Sequence, residues 1–320
     1  MGVSRLLAVA RRPETLRRLG LAAVLVNVLI VVTGGAVRLT GSGLGCPTWP
    51  SCTDSSLTPT HAYAIHGIIE FTNRQLTFLV SLVVLATLAA AVLGRRQIRL
   101  AVLLAASIPA QAVLGGITVL TKLNPWFVAA HFLLSIAIIA VAFLLWWRVR
   151  GLPLPVVASA PLRLVGWLML AVTAAVLAVG TVVTGSGPHA GDKGATHRIQ
   201  LAPSSVAQLH ADLVMLLIGV TVGFVLLARA AGADDGTRRA GYRLLAVELG
   251  QGLIGFVQYF SHVPALLVGI HMLGACLVWL AALVIPAHLA GPAGAEARRG
   301  SVRDARSTGR RTAALAGRRG

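Results

Sequence analysis

Five stretches without a charged residue, 19–37, 75–94, 100–121, 123–147 and 164–191, constrain this chain more than any other feature. Each is close to or above the roughly 20 apolar residues that cross a bilayer as a helix, and in hydrocarbon a helix satisfies its own backbone. Two later stretches are interrupted by single acids. Asp212 lies between 199 and 228, and Glu248 follows Tyr242. The uncharged run beyond Glu248 is long enough to cross twice, with His262 and Pro264 marking the turn. Composition agrees: 56% of the chain is hydrophobic and 12% charged, against roughly 45–50% and 25% in soluble domains, which excludes a water-soluble fold. The expectation is an all-α polytopic membrane protein of about eight transmembrane helices.

The formal charge of +18 would point to nucleic acid in a soluble protein, but here it follows topology. Arg5, Arg11, Arg12, Arg17 and Arg18 precede the first span. Arg95, Arg96 and Arg99 separate the second and third, Arg148, Arg150 and Arg163 the fourth and fifth, and Arg229, Arg238, Arg239 and Arg243 the sixth and seventh. All fall on one side, which the positive-inside rule makes cytoplasmic, with both termini inside. No nucleic-acid partner is expected. The arginine-rich stretch 291–320 reads as a disordered cytoplasmic tail that touches anionic lipid. The run 19–37 is longer than a signal-peptide core and lacks a small-x-small cleavage site, so it is kept as the first helix.

The chain also repeats itself, and this sets the architecture. Thr40-Gly41-Ser42-Gly43 recurs as Thr184-Gly185-Ser186-Gly187, and residues 111–131 recur at 251–271. Two pseudo-symmetric four-helix bundles follow. Four is even, so both halves enter the membrane with the same polarity, and their axis runs along the membrane normal. The expected segments are 1–18 at the cytoplasmic N-terminus, a first bundle at 19–150, a cytoplasmic linker at 151–163, a second bundle at 164–290, and the tail at 291–320.

Ionisable groups inside a bilayer cost roughly 2.5–3.5 kcal/mol each, so those that persist are functional candidates. They are His66, Glu70, Arg74 and His131 in the first half, and His210, Asp212, Glu248 and His271 in the second. His131 and His271 occupy the same place in the repeat. Two histidines at one depth on neighbouring helices, such as His210 and His271, suit the axial positions of a flat haem better than tetrahedral zinc, which wants three or four ligands. His66, Glu70 and Arg74 are spaced by four and stack on one helix face. That face offers a ligand, a carboxylate fit to act as base, and a cation fit for a propionate; the bland alternative is a Glu70–Arg74 ion pair that serves packing. Cys46 and Cys52, with five residues between them in the first outer loop, can pair in an oxidising compartment as a staple or a redox couple. Cys276 reads as a packing residue.

Together these residues resemble the haem A synthase (CtaA-like) family over most of the chain. The likeness is carried by Gly34 to Gly43 followed by Cys46 and Cys52, then Ile69-Glu70-Phe71 with Asn73-Arg74, Gln111 with Leu114-Gly115, His131, His210 and His271. The resemblance implies a plasma-membrane oxidoreductase that oxidises the C8 methyl of haem O to the formyl group of haem A for terminal oxidases. It implies Glu70 as the catalytic carboxylate, a substrate haem held in the first half near His66, Asn73, Arg74 and His131, and a haem b ligated by His210 and His271. Candidate partners are haem O synthase, the terminal-oxidase assembly apparatus and an electron partner that the sequence does not name. The alternatives are a non-catalytic haem carrier or assembly factor, and a di-haem quinone-reactive cytochrome. One departure stands out: the family commonly has Glu-x-x-His-Arg in the second helix, and here Asn73 replaces the histidine, leaving His131 alone or with His66 on the substrate side. In a second departure, the loop after Gly187 lacks a cysteine pair found in some relatives. It carries His189, Asp192, His197 and Arg198 instead, which are expected to cover the pocket or meet propionates.

Overall fold

The computed structural model describes residues 3–59, 64–151, 159–192 and 197–290. They form helices α1 (Val3–Ala10), α2 (Pro13–Leu39), α3 (Ala64–Leu93), α4 (Ile98–Leu120), α5 (Pro125–Val149), α6 (Ala160–Ser186), α7 (Pro203–Ala230), α8 (Asp235–Phe260) and α9 (Ala265–Leu289). The short α1 carries no sequence signal of its own. The linker residues 152–158 and the expected tail at 291–320 lie outside the described residues.

Local chemistry explains the helix starts. Proline stands in the first turn of α2, α5, α6 and α7, where its missing N–H is no loss. Asn124 caps α5 by accepting from Trp126 N–H at 3.1 Å. Helix α3 begins eleven residues before its uncharged run, so His66, Glu70, Asn73 and Arg74 all stand within it.

Among the described residues, seven of the nine helices are long and apolar enough to cross a membrane. Helix α8 is not among them, although its 26 residues match the others in length. Its first turns carry Asp235, Arg238, Arg239 and Arg243, which dilute the apolar stretch that follows.

Helix α2 packs on α3 and α5, and α4 packs on the same two; α6 packs on α7 and α9, and α8 on the same two. The sets meet along α2–α9, α5–α6 and α5–α9. Indole nitrogens stitch this seam: Trp279 Nε1 donates to Ile136 C=O at 2.9 Å and Trp147 Nε1 to Ala287 C=O at 3.2 Å. The outward faces are apolar as well, with Phe78, Leu82, Leu164, Phe256 and Leu266 all exposed, a surface suited to lipid.

The repeat reaches into the turns. Lys122-Leu123 and His262-Val263, 140 residues apart, both take positive φ, and Leu123 N–H and Val263 N–H reach back to Thr118 and Gln258 carbonyls at 2.9 and 2.8 Å. These turns, with the Thr-Gly-Ser-Gly motifs, define the loop end of the molecule. The opposite end is arginine-rich.

At that arginine end Asp234 caps α8, accepting from Gly236 N–H at 3.0 Å and from the Thr237 hydroxyl, with His288 Nε2 at 3.4 Å. Partial burial pushes its carboxyl up, but the bonds from Thr237, His288 and Gly236 outweigh this and hold it below the usual carboxylate range. The ionised cap therefore contributes at neutral pH and is lost as pH falls through the lowered value. Asp234→Ala is expected to cost about 1 kcal/mol, read as a lower thermal midpoint in detergent that no longer differs from the parent once both are strongly acidified.

Candidate functional site

His210 on α7 and His271 on α9 face each other with ring centroids 6.5 Å apart and planes at 62°. The Nδ1 atoms of both are buried without a hydrogen-bond partner, and in a finished site such atoms have a ligand, a carbonyl or a water. Glycine on a neighbouring helix backs each ring. A Cβ at Gly180 would stand 3.2 Å from His210 Cε1, and one at Gly255 3.4 Å from His271 Cε1. Gln251 fixes the strand of contacts from α8, its Nε2 donating to His271 C=O at 2.7 Å.

Two axial imidazoles on one iron, with metal–nitrogen bonds of about 2 Å and about 1 Å more to each ring centre, place the centroids roughly 6 Å apart. The observed 6.5 Å fits. Among the described residues no three His, Cys, Asp or Glu side chains gather as a metal cluster. The pair thus offers two nitrogens, the number a porphyrin leaves to the protein.

The first set repeats half of this device. His131 Nδ1 is also buried and unpartnered, and a Cβ at Gly115 would stand 3.2 Å from its Cε1. Gln111 Nε2 lies 3.4 Å from His131 C=O and donates to Ser135 Oγ at 2.8 Å. The second imidazole is missing. Asn73 is spent on a helix–helix bond, its Oδ1 accepting from Thr33 Oγ1 at 2.8 Å. His66 is exposed at the loop end with Nδ1 2.9 Å from Ser42 Oγ. No hydrogen bond or ring contact among the described residues joins His131 to either.

Glu70 and Arg74 meet, but they also hold the loop between α2 and α3. Glu70 is 5% exposed. Its Oε2 accepts from Cys46 N–H at 2.6 Å, and its Oε1 accepts from Arg74 Nε at 3.1 Å and Nη2 at 2.5 Å. Arg74 spends its remaining donors on loop carbonyls: Cys46 at 2.8 Å, Thr48 at 3.1 Å and Ser51 at 3.3 Å. Cys46 and Cys52 are disulfide-bonded and buried, so the sulfurs are closed to direct exchange. The loop lies tightly over the mouth of the first set. A Cβ at Gly45 would meet His66 C=O at 2.3 Å, and one at Gly116 on α4 would meet the Trp49 ring at 2.7 Å.

Across the seam at the loop end, Arg38 Nε donates to His189 C=O at 2.8 Å and Nη2 to Thr184 C=O at 3.0 Å, while Arg198 Nη2 donates to Pro188 C=O at 3.0 Å. His189 Nε2 lies 2.9 Å from Val263 C=O. The segment after Gly187 thus ties the two sets together. Gln111 and Gly115 stand in the sequence as part of the repeat and of the family likeness, but their place behind the imidazoles, and that of Gln251 and Gly255, is seen only in the structure. The signal for the second pair was present, because Gln111, Gly115 and His131 stand 140 residues before Gln251, Gly255 and His271.

Comparison with known proteins places the chain in a family. Proteins named Heme A synthase from two strains of Staphylococcus epidermidis are 28% identical over 185 residues, 55% of this chain and 59% of theirs. One of the same name from Geobacillus thermodenitrificans is 30% identical over 146 residues, 42% of this chain and 44% of its own. The aligned part therefore spans about three fifths or less of the relatives' length. The COX15-CtaA family model, described as cytochrome oxidase assembly protein, matches residues 17–283, and with that span the chain belongs to this family.

Proposed function

We propose that the protein is a haem A synthase, a plasma-membrane oxidoreductase that takes haem O as substrate and converts its C8 methyl group to the formyl group of haem A. The observation that carries the reading is the facing His210–His271 pair with its two unpartnered nitrogens, in a chain whose relatives bear that enzyme's name. Haem b, bound by this pair, supplies a one-electron store. In this reading α8 spans too, giving eight crossings in two four-helix bundles, 19–150 and 164–290. The arginine end is cytoplasmic by the positive-inside rule, as are the N-terminal segment 1–18, the linker 151–163 and the tail 291–320.

The remaining residues take roles in the first bundle. His131 holds the substrate iron from one side, and Asn73, a poor iron ligand already bonded to Thr33, leaves the opposite side open, which suits a substrate that must depart. Glu70 is the carboxylate beside the substrate, able to accept a proton or to stabilise positive charge as the methyl group is oxidised. Arg74 positions Glu70 and the loop. His66, beside Ser42, stands at the entrance. The electrons released pass to an acceptor outside the chain.

Glu70→Gln tests the enzyme reading, because the amide oxygen still accepts from Cys46 N–H while the charge is removed. In membranes supplied with haem O, the variant is expected to keep its bound haem and to yield formyl haem at least about 100-fold more slowly, the ordinary worth of an acid–base group. Undiminished product would remove Glu70 from the chemistry, and a parent protein that binds haem but yields no formyl haem would favour a non-catalytic haem carrier.

A further inference from the structure

Glu248, Gln251, Gly255 and Gln258 follow one another on α8 at i, i+3, i+7 and i+10 and so share one face. Three buried oxygens on this face have no hydrogen-bond partner: Glu248 Oε2, Gln251 Oε1 and Gln258 Oε1. Glu248 is 3% exposed, and its one bond comes from Thr221 Oγ1 on α7 at 2.9 Å. Buried acceptors without donors cost free energy, and a row of them wants water.

The imidazole-holding device does not require this row. Gln251 is shared with the first set as Gln111, but the repeat puts Ile108 where Glu248 stands and Thr118 where Gln258 stands. Thr118 satisfies itself on Leu114 C=O at 2.9 Å. The extra carboxylate and the extra amide belong to the second set alone.

Packing gives the row a direction. On the arginine side of Glu248, Leu244, Phe224, Ala228, Ala282 and Ile285 are buried and close the bundle with apolar side chains. On the loop side, Gln251 lies against Gly274, Gly255 against the His271 ring, and Gln258 next to the His262-Val263 turn. Glu248 sits about 10 Å along the axis from the level of that ring, seven residues at about 1.5 Å each.

We propose that Glu248 exchanges a proton with water at the loop end along this face of α8, and that it does so in step with the charge on the iron held by His210 and His271. The inference rests on the haem b assignment above. When one electron reaches that iron from a one-electron donor, one proton from loop-end water converts the Glu248 carboxylate to the carboxylic acid. When the electron leaves, the proton returns by the same route, and no other bond forms or breaks. Few other groups compete among the described residues of the helices packed on α8. On α7 the hydroxyl of Thr221 faces Glu248, while His210 and the exposed Asp212 stand towards the loop end and Arg229 at the opposite end. On α9, His271 stands at the loop end and His288 at the arginine end, and Cys276, nearest in depth, is packed in the apolar cluster of the first set.

The test is a redox-difference infrared spectrum of the purified haem-loaded protein, with a titration of its midpoint potential against pH. A carboxylic C=O band that grows on reduction and shifts in heavy water is expected, together with a midpoint that falls as pH rises. Glu248→Gln should remove the band and flatten the pH dependence while the visible spectrum stays unchanged. Gln258→Leu, which leaves the carboxylate in place, should slow exchange of the band for deuterium and guards against misfolding of the first variant. A wild-type protein with haem but no such band, or a band and slope that survive Glu248→Gln, overturns the proposal. A preparation without haem b defeats the site assignment instead.

Discussion

Replacing His271 with alanine is expected to remove the low-spin haem absorbance of the purified protein almost entirely. The imidazole is one of two in the second set whose ring centroids lie 6.5 Å apart, and no group of three or more His, Cys, Asp or Glu among the described residues stands ready to replace it. The substitution should leave the helices assembled, because His271 is held through its backbone carbonyl by Gln251, a bond that alanine keeps. His210→Ala is expected to do the same from the opposite helix. The measurement is a pyridine haemochrome assay beside a visible spectrum, with the protein quantified independently. The control is His131→Ala, which lies in the other set and should spare the low-spin signal. A His271→Ala protein with undiminished low-spin absorbance would refute the ligand assignment, whatever its activity.

The parts of this molecule legible in the sequence were those set by solvent. Uncharged runs long enough for a bilayer, and for α7 a run broken only by Asp212, locate α2 to α7 and α9 to within a few residues at most ends, and the 140-residue repeat pairs His131 with His271. Helix α8 is legible only in its second half, from the uncharged run beyond Glu248, because four charges in its first turns break the pattern there. The start of α3 was invisible to hydropathy for a similar reason. The spacing of His66, Glu70 and Arg74 puts them on one helix face, but that Glu70 and Arg74 hold the loop between α2 and α3 is visible only in the bonds the loop makes to them. The hydrogen bonds of Asn73 and Arg38 could not be read, since each depends on a partner 40 or some 150 residues away. The sequence did point to the Cys46–Cys52 pairing, yet it left open whether the bond was exposed, and burial of both sulfurs now makes the staple the better account.

That staple depends on Arg74, and Arg74→Ala is the second substitution with a large expected effect. Its guanidinium bonds the Glu70 carboxylate through two nitrogens and three loop carbonyls besides, so one side chain carries the attachment of the loop to α3. Removing it leaves Glu70 buried with Cys46 N–H as its one remaining partner, and breaking a buried ion pair from one side costs about 3 kcal/mol or more. The partial exposure of Arg74 moderates that figure. The loss should be local: the loop lifts, the Trp49 ring leaves Gly116, and the buried sulfurs open to solvent. A membrane-impermeant reductant followed by thiol labelling reads this directly, with Cys46 and Cys52 expected to label far faster in Arg74→Ala than in the parent. Arg74→Lys separates charge from shape, since an ammonium keeps the charge but lacks the planar fork that reaches carboxylate and carbonyls together. It should fall between the two. Throughout this series the His210–His271 absorbance should hold steady, because those ligands stand on helices of the other set. Equal labelling of parent and Arg74→Ala would mean that the loop is held by the disulfide and its apolar contacts alone, and that the Glu70 carboxylate needs no cation to stay where it is.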